Sequence, residues 1–118
     1  MFDNLMMGRF FDSLNSRNLE VMEPLFTEGA EFYFPKTQPL LGRDRIIRFF
    51  KILFRQYPEL SFQIQRTIIE GDRAAVHWTN RGRNKKGEAY ENEGVTIFEG
   101  EGGLITFMSD FFKDTGKF

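Results

Sequence analysis

The chain has 118 residues, the size of one domain, and 41% of them are apolar, including 15 phenylalanines, so a core can form without metal or disulfide crosslinks. A net charge of −1 disfavours nucleic-acid surfaces that depend on bulk positive charge. Cysteine is absent, which excludes disulfide and thiol chemistry and fits a reducing cytoplasm.

Two helices are predicted at the start of the chain. The first begins at Asp3 as its N-cap and ends near Ser16, because apolar residues recur there at helical spacing. A short second helix carries the apolar residues of segment 19–26 and contains Pro24 at a kink or in its first turn. We expect Gly29 to end this second helix.

A third helix is predicted over about 43–56, with an apolar side formed by Ile46, Ile47, Phe50, Leu53 and Phe54. The most apolar stretch of the chain lies here, but Arg48 and Lys51 interrupt it, so we expect no membrane span. The first four residues lack the basic start of a signal peptide.

The strands follow a different pattern. A short strand at 30–34 precedes a loop, and four later strands are predicted over 61–69, 74–83, 88–98 and 104–113. Connections of hairpin length make these four strands an antiparallel meander. Helices at one end and a meander at the other predict a single α+β domain over 1–118, with Phe10, Leu14, Phe50 and Leu53 buried against the sheet.

Two kinds of site are disfavoured by the charged residues. The basic segment 81–86 faces Glu88, Glu91 and Glu93 across a hairpin, which favours cross-strand ion pairs over nucleic-acid contact. His77 is the only histidine, and a lone histidine supports neither a metal site nor a catalytic triad. We therefore expect no metal and no cofactor.

Asp110 is the most informative residue of the chain. Side chains alternate along a strand, so Asp110 shares one face with Met108 and Phe112. A carboxylate between such neighbours is either a solvated acid or partner of an arginine, or it points into an apolar cavity. In a cavity, desolvation would raise its pKa and suit it to proton transfer.

The register of the hairpin around Gly87 decides which residues face Asp110. A three-residue turn with a glycine bulge pairs Trp78 with Gly94 and Asn80 with Asn92. A slip by one residue would instead turn His77 and Thr79 inward. The apolar character of Val76 and Trp78 favours the first register, which leaves His77 on the solvated face and allows Trp78 a plain packing role.

These faces predict one concave, mainly apolar cavity enclosed by the first and third helices, a form typical of small-molecule sites. Asp110 is the predicted acid–base and Asn92 the residue that orients it by a hydrogen bond. The predicted ligand-contacting residues are Phe34, Trp78, Asn80, Tyr90, Asn92, Thr96, Met108 and Phe112.

The order and spacing of several short segments resemble one known family. They are Phe10-Phe11-Asp12-Ser13-Leu14, Leu25-Phe26 before Ala30-Glu31-Phe32, Leu41-Gly42-Arg43 before Phe49-Phe50, Asp72-Arg73-Ala74-Ala75-Val76-His77-Trp78, Asn92-Glu93-Gly94, Ile97-Phe98, and the segment 105–112. With them the chain resembles the SnoaL-like branch of the nuclear transport factor 2-like superfamily over nearly its whole length. The resemblance implies a cone-shaped fold, in which three N-terminal helices pack on a curved antiparallel sheet around a pocket. Many members are homodimers.

The resemblance transfers functional residues unevenly. The general acid–base of SnoaL-like cyclases, and a catalytic aspartate of limonene-epoxide hydrolases, match Asp110. A histidine that the cyclases often carry corresponds to Thr96 here, which does not take a proton at neutral pH. The arginine and second aspartate of the epoxide hydrolases are missing from 74–83. The ketosteroid isomerase positions hold Phe10, Phe34 and Gly94, which excludes that mechanism.

Two functions remain open. The first is a small enzyme in which Asp110 moves a proton on an apolar or aromatic molecule, in an isomerisation, an aldol-type cyclisation or a hydration. The second is a non-catalytic ligand-binding or dimerisation module. In either case we expect a homodimer through the outer face of the sheet, where Val95, Ile97, Phe107 and Phe111 form an apolar patch.

Overall fold

The computed structural model describes residues 2–117 of the chain. Its helices are α1 (Asn4–Ser16), α2 (Leu19–Met22) and α3 (Arg43–Gln56), with short 3-10 turns at Glu23–Leu25 and Thr115–Lys117. Its strands are β1 (Phe26–Tyr33), β2 (Leu40–Leu41), β3 (Glu59–Glu70), β4 (Arg73–Arg83), β5 (Ala89–Glu101) and β6 (Leu104–Phe112). Helices α1 and α3 and the four-strand meander match the predictions closely.

The six strands form one curved, unclosed sheet in the order β2-β1-β6-β5-β4-β3. Strands β3 to β6 are the expected antiparallel meander, but β1 runs parallel to β6, with Phe32 opposite Met108. The curved antiparallel sheet that the resemblance implied thus contains one parallel pair, β1 with β6. A short hairpin connection forces two strands to be antiparallel, but β1 and β6 are not joined by a hairpin. Their relative direction therefore could not be predicted from the length of a connection.

The second helix is shorter than predicted. It ends at Met22, and Pro24 lies in a 3-10 turn, where its missing N–H leaves no hydrogen bond unmade. Phe26 begins β1 and is fully buried, and Gly29 lies inside this strand rather than at a helix end. Phe26 thus matched the helical spacing although it belongs to a strand. Its burial results from packing in the sheet and not from a helix face.

Polar contacts define both ends of α1. Asp3 accepts a hydrogen bond from the Met6 amide at 2.8 Å, which confirms the predicted N-cap. After the helix, the Arg17 guanidinium donates to the carbonyl oxygens of Phe54 and Tyr57 at 2.9 and 2.6 Å. This link joins the C-terminal ends of α1 and α3, the two helices that face the concave side of the sheet.

Aromatic rings fill the space between the helices and the sheet. The ring of Phe10 lies 5.2 to 6.1 Å from the rings of Phe11, Phe26, Phe50 and Phe98, in edge-on arrangements. Phe10, Leu14 and Phe50 are buried as predicted, whereas Leu53 is only half-buried. None of the helices among residues 2–117 has the length and apolar character needed to cross a bilayer.

The β4–β5 hairpin has the predicted register. Trp78 lies opposite Gly94 and Asn80 opposite Asn92, and Gly87 has the positive φ of 80° that its turn requires. A side chain at position 94 would meet the indole of Trp78 at 2.8 Å from Cζ2, so the ring passes directly over this glycine. This register directs Val76, Trp78 and Asn80 to the concave face.

The opposite face of the hairpin carries charged pairs. His77 lies there as predicted, half-buried rather than fully solvated, because it hydrogen-bonds Glu93, which also bonds Lys113. The two hydrogen bonds lower the pKa of the Glu93 carboxyl, with the larger effect from Lys113. Arg83 of the basic segment pairs with Glu59 on the neighbouring strand β3.

Candidate functional site

A cavity lies on the concave face of the sheet beneath α1 and α3. About 470 Å³ between its lining residues is free of atoms, part of it open to solvent, but only about 30 Å³ is wide enough to hold the centre of a water molecule. The lining residues are Phe10, Phe11, Leu14, Phe34, Phe49, Phe50, Leu53, Leu60, Phe62, Trp78, Asn80, Tyr90, Thr96, Met108, Asp110 and Phe112.

The structure brings together around this cavity all but one of the residues predicted from strand parity. Asp110 lines it with Phe34, Trp78, Asn80, Tyr90, Thr96, Met108 and Phe112, and whether they bind a ligand stays a prediction. The prediction left out the lining residues of α1, α3 and β3. The lining residues of α1 and α3 could have been recognised as the apolar faces of these helices. Phe62 was harder to predict, because it belongs to an edge strand whose alternation is broken by a bulge after Ile64.

Asn92 is the exception. Its Nδ2 donates to the Tyr90 hydroxyl at 3.0 Å and to the Asp114 carbonyl at 2.8 Å, and its Oδ1 accepts from the Asp114 amide at 3.2 Å. The prediction that Asn92 orients Asp110 is therefore wrong. The alternation of side chains along β5 placed Asn92 on the predicted face. The chain that follows β6, however, passes the N-terminal end of β5, where Asp114 forms hydrogen bonds with the Asn92 side chain.

Thr96 is the residue that contacts Asp110. The two are directly opposite in the β5–β6 ladder, and the Thr96 hydroxyl donates to Asp110 Oδ1 at 2.6 Å. The same hydroxyl oxygen accepts from the indole Nε1 of Trp78 at 2.8 Å. Because an indole N–H can only donate, the single hydroxyl proton of Thr96 is left for Asp110.

The environment of Asp110 is unusual for a carboxyl group. It is half-buried, and since it lines the cavity we attribute its accessible surface to the cavity rather than to the protein exterior. Burial raises its pKa from 3.8 to about 7, and the hydrogen bond from Thr96 opposes that shift only in part. Within the described residues it forms no ion pair, so desolvation dominates.

Asn80 is the second polar residue that needs an explanation. Its side chain is 6% exposed and lines the cavity, yet its buried Oδ1 has no hydrogen-bond partner among residues 2–117. Tyr90, on the neighbouring strand, lines the same cavity, and burial raises the pKa of its hydroxyl to about 12, so it stays neutral at pH 7.

No cluster of three or more histidine, aspartate or glutamate side chains suited to a metal ion occurs in the part of the chain that the structure describes. The chemistry available in the cavity is therefore that of one carboxyl group, its hydroxyl donor, an amide and a phenol.

The cavity has a thin wall on one side. Phe34, Phe49 and Leu53 line both the cavity and a surface groove formed by α3 and the segment 35–37. Leu53 is half-buried because it lies at this boundary. A molecule entering from the groove would have to displace these three side chains.

The chain was compared with protein families, with curated proteins and with solved structures. The sequence profile of the SnoaL-like domain family matches residues 7–108. No curated protein matches the chain.

Several solved structures share the fold. A nuclear transport factor 2-like protein of unknown function from Burkholderia pseudomallei K96243 has a TM-score of 0.88 and 19% identity, over 99% of this chain and 95% of that one. A candidate SnoaL-like polyketide cyclase from Jannaschia sp. CCS1 has a TM-score of 0.84 and 22% identity, over 92% and 83%. A hypothetical protein with a ketosteroid isomerase-like fold from Catenulispora acidiphila DSM 44928, solved with trimethylamine, has a TM-score of 0.85 and 14% identity, over 93% and 86%.

Proposed function

The chain belongs to the SnoaL-like domain family, and from this premise we propose that it binds a small apolar or aromatic molecule in its cavity and catalyses proton transfer on it, with Asp110 as the general acid–base. The observation that carries the proposal is a carboxyl group with a pKa of about 7 in a cavity lined mainly by aromatic rings. A group with this pKa is divided between its two forms at neutral pH, as acid–base catalysis requires.

The hydrogen bonds around Asp110 favour one oxygen for the proton transfer. Thr96 donates to Oδ1 and is itself held by Trp78, which leaves Oδ2 to exchange a proton with the ligand. The reaction class that fits is proton removal from carbon beside a carbonyl group, or its reverse, as in an isomerisation or an aldol-type cyclisation. In such a step Asp110 Oδ2 takes the carbon-bound proton and returns one to a carbon or oxygen of the same molecule.

Ligand binding requires the cavity to widen, because about 30 Å³ of open space accommodates little more than one or two waters. The displaceable side chains are those of the thin wall, Phe34, Phe49 and Leu53. An incoming aromatic ring would replace their contacts with similar ones.

The proposal is tested first by titrating the Asp110 carboxyl carbon by NMR. The expected pKa is near 7, and Thr96→Val should raise it by about one unit, because the ionised form loses its donor. Thr96→Ser keeps the hydroxyl and serves as the matched control. A pKa near 4 in the unaltered protein would sink the acid–base assignment.

The second test measures catalysis with a probe, exchange of the carbon-bound protons of 2-tetralone with deuterated water. Exchange above the buffer rate is expected for the unaltered protein and not for Asp110→Asn, which retains shape but cannot take up a proton. Retention of exchange in Asp110→Asn would exclude Asp110 as the base.

A non-catalytic ligand-binding or dimerisation module is the second candidate. The observation that favours it is the small open volume of the cavity, which is compatible with packing alone. As a ligand-binding module, it predicts that Asp110→Asn binds 2-tetralone as the unaltered protein does; as either kind of module, it predicts that neither protein exchanges the protons of 2-tetralone.

A further inference from the structure

Asn80 has no role in the proton transfer proposed above, and its environment is unfavourable without a ligand. Its Oδ1 is buried and has no hydrogen-bond partner within the described part of the chain, while the side chain is held on the concave face by the pairing of β4 with Phe62 on one side and Asn92 on the other. Leaving such a group unsatisfied is destabilising, so a buried amide of this kind calls for a hydrogen-bonding partner that enters the cavity.

The position of Asn80 relative to Asp110 follows from the sheet register. Asp110 lies opposite Thr96, and Thr96 lies opposite Val76, four residues before Asn80 on β4. The two polar groups are thus displaced by roughly 13 Å along the strands and separated by two strand spacings, roughly 10 Å. Because the sheet is curved, both side chains face the same cavity, one near each end.

The surface between these ends is apolar. Trp78 and Phe112 lie along it, and their rings are 6.3 Å apart, while Phe62 packs against Trp78 at 5.1 Å. The indole N–H of Trp78 is already bonded to Thr96 and presents no polar atom to a ligand.

We propose that Asn80 determines which ligands bind, by accepting a hydrogen bond at Oδ1 from a hydroxyl or N–H group at one end of an elongated aromatic molecule whose other end reaches Asp110. This inference rests on the proposed small-molecule site but not on proton transfer by Asp110. It narrows the ligand class to aromatic molecules that carry a hydrogen-bond donor distant from the reacting atom.

The rival occupant is a water molecule. The open space is large enough for one, and Tyr90, which lines the same cavity, is the residue whose hydroxyl would be its second partner. A water that satisfied Asn80 permanently would remove any preference for ligands that carry a donor.

The experiment compares two probes of similar shape, 2-naphthol and 2-methoxynaphthalene, by NMR titration of the unaltered protein. We expect 2-naphthol to bind about tenfold more tightly, because only it can donate to Oδ1. In Asn80→Leu, which preserves side-chain size and removes the acceptor, this preference should vanish. In Asp110→Asn it should persist.

The side-chain amide resonances of Asn80 give a second readout that needs no variant. At saturation they should shift further with 2-naphthol than with 2-methoxynaphthalene, because only 2-naphthol adds a hydrogen bond to the ring-current effect that both probes share, so the inference stays testable even if Asn80→Leu fails to fold.

Three results would overturn the inference. Equal binding of the two probes to the unaltered protein would mean that water satisfies Asn80. A preference that survives in Asn80→Leu but disappears in Asp110→Asn would mean that Asp110 holds the donor, which leaves the proposed function standing. Binding of neither probe at millimolar concentration would remove both the inference and the proposed function.

Discussion

At the scale of single residues, the most consequential feature is a carboxyl group whose ionisation is opposed by its surroundings. In the unfolded chain Asp110 titrates near its ordinary pKa, whereas burial raises that pKa to about 7 in the folded protein. The folded state therefore binds the proton more tightly than the unfolded state. Between these two values, stability should fall as the pH rises.

The variant Asp110→Asn should remove this dependence. Well below pH 3.8, Asp110 is protonated in both the folded and the unfolded state, so the variant gains nothing there. By pH 8 the unaltered protein carries the full penalty, at most about 4 kcal/mol. The advantage of the variant in free energy of unfolding should grow by about 2 to 3 kcal/mol between pH 5 and pH 8, measured by urea denaturation. A difference that does not change with pH would contradict the raised pKa.

A second residue-scale prediction concerns Asn80 and Asn92, which face each other across β4 and β5. Asn80→Leu removes a buried amide oxygen that has no partner among residues 2–117 and should raise the free energy of unfolding by about 1 kcal/mol. Asn92→Leu, the matched control, breaks hydrogen bonds to Tyr90 and Asp114 and should lower it by about 1 to 3 kcal/mol. Thermal or urea denaturation measures both. Destabilisation by both variants to the same extent would mean that Asn80 has a partner.

At the scale of elements, the β4–β5 hairpin aligns the residues of the cavity. Gly87 permits the turn, the turn sets the register, and the register places Gly94 beneath the indole of Trp78. Because the Trp78 N–H then reaches Thr96, the hydrogen bond to Asp110 depends on this glycine as well.

Gly94→Ala tests that dependence. The added methyl group would meet Trp78 Cζ2 at 2.8 Å and the Phe111 carbonyl oxygen more closely still. We expect a loss of about 1 to 3 kcal/mol in stability from this overpacking, together with a change in Trp78 fluorescence. Gly29→Ala is the control, since a methyl group there meets no atom within 4 Å and the residue also lies in a strand. If the two variants behaved alike, the close approach at Gly94 would be of no consequence.

At the scale of the whole molecule, the outer face of the sheet remains exposed. Ile68 and Phe111 are 65% and 61% exposed there, and Val95 lies between them beside the His77–Glu93 pair. The helices that could cover an apolar face all pack on the concave side. We propose that a second copy of the chain covers this outer face, since an apolar patch bordered by charges of both signs is self-complementary about a two-fold axis.

The corresponding variant is Phe111→Arg. Sedimentation velocity at micromolar concentration should show a dimer for the unaltered protein and a monomer for this variant, because the interface would bury like charges. Leu5→Arg is the control: Leu5 is 64% exposed on α1, away from the outer face, and its replacement should leave the dimer intact. A monomeric unaltered protein would contradict the proposal.

The sequence by itself determined the features that depend on neighbours close in the chain. Alternation placed Asp110 on the same face as Met108 and Phe112, turn chemistry at Gly87 predicted the hairpin register, and the periodicity of 43–56 predicted α3. These features follow from local backbone geometry, which each short segment specifies alone.

The tertiary structure decided what required contact between distant segments. It set β1 parallel to β6, engaged Asn92 with Asp114, paired Asp110 with Thr96 and left the Asn80 Oδ1 without a partner among the described residues. The alternation of side chains along a strand predicts which face a residue lies on, but not which other residues pack against it there. The pKa of Asp110 depends on that filling, because desolvation comes from rings on α1, α3 and three other strands packed around one cavity.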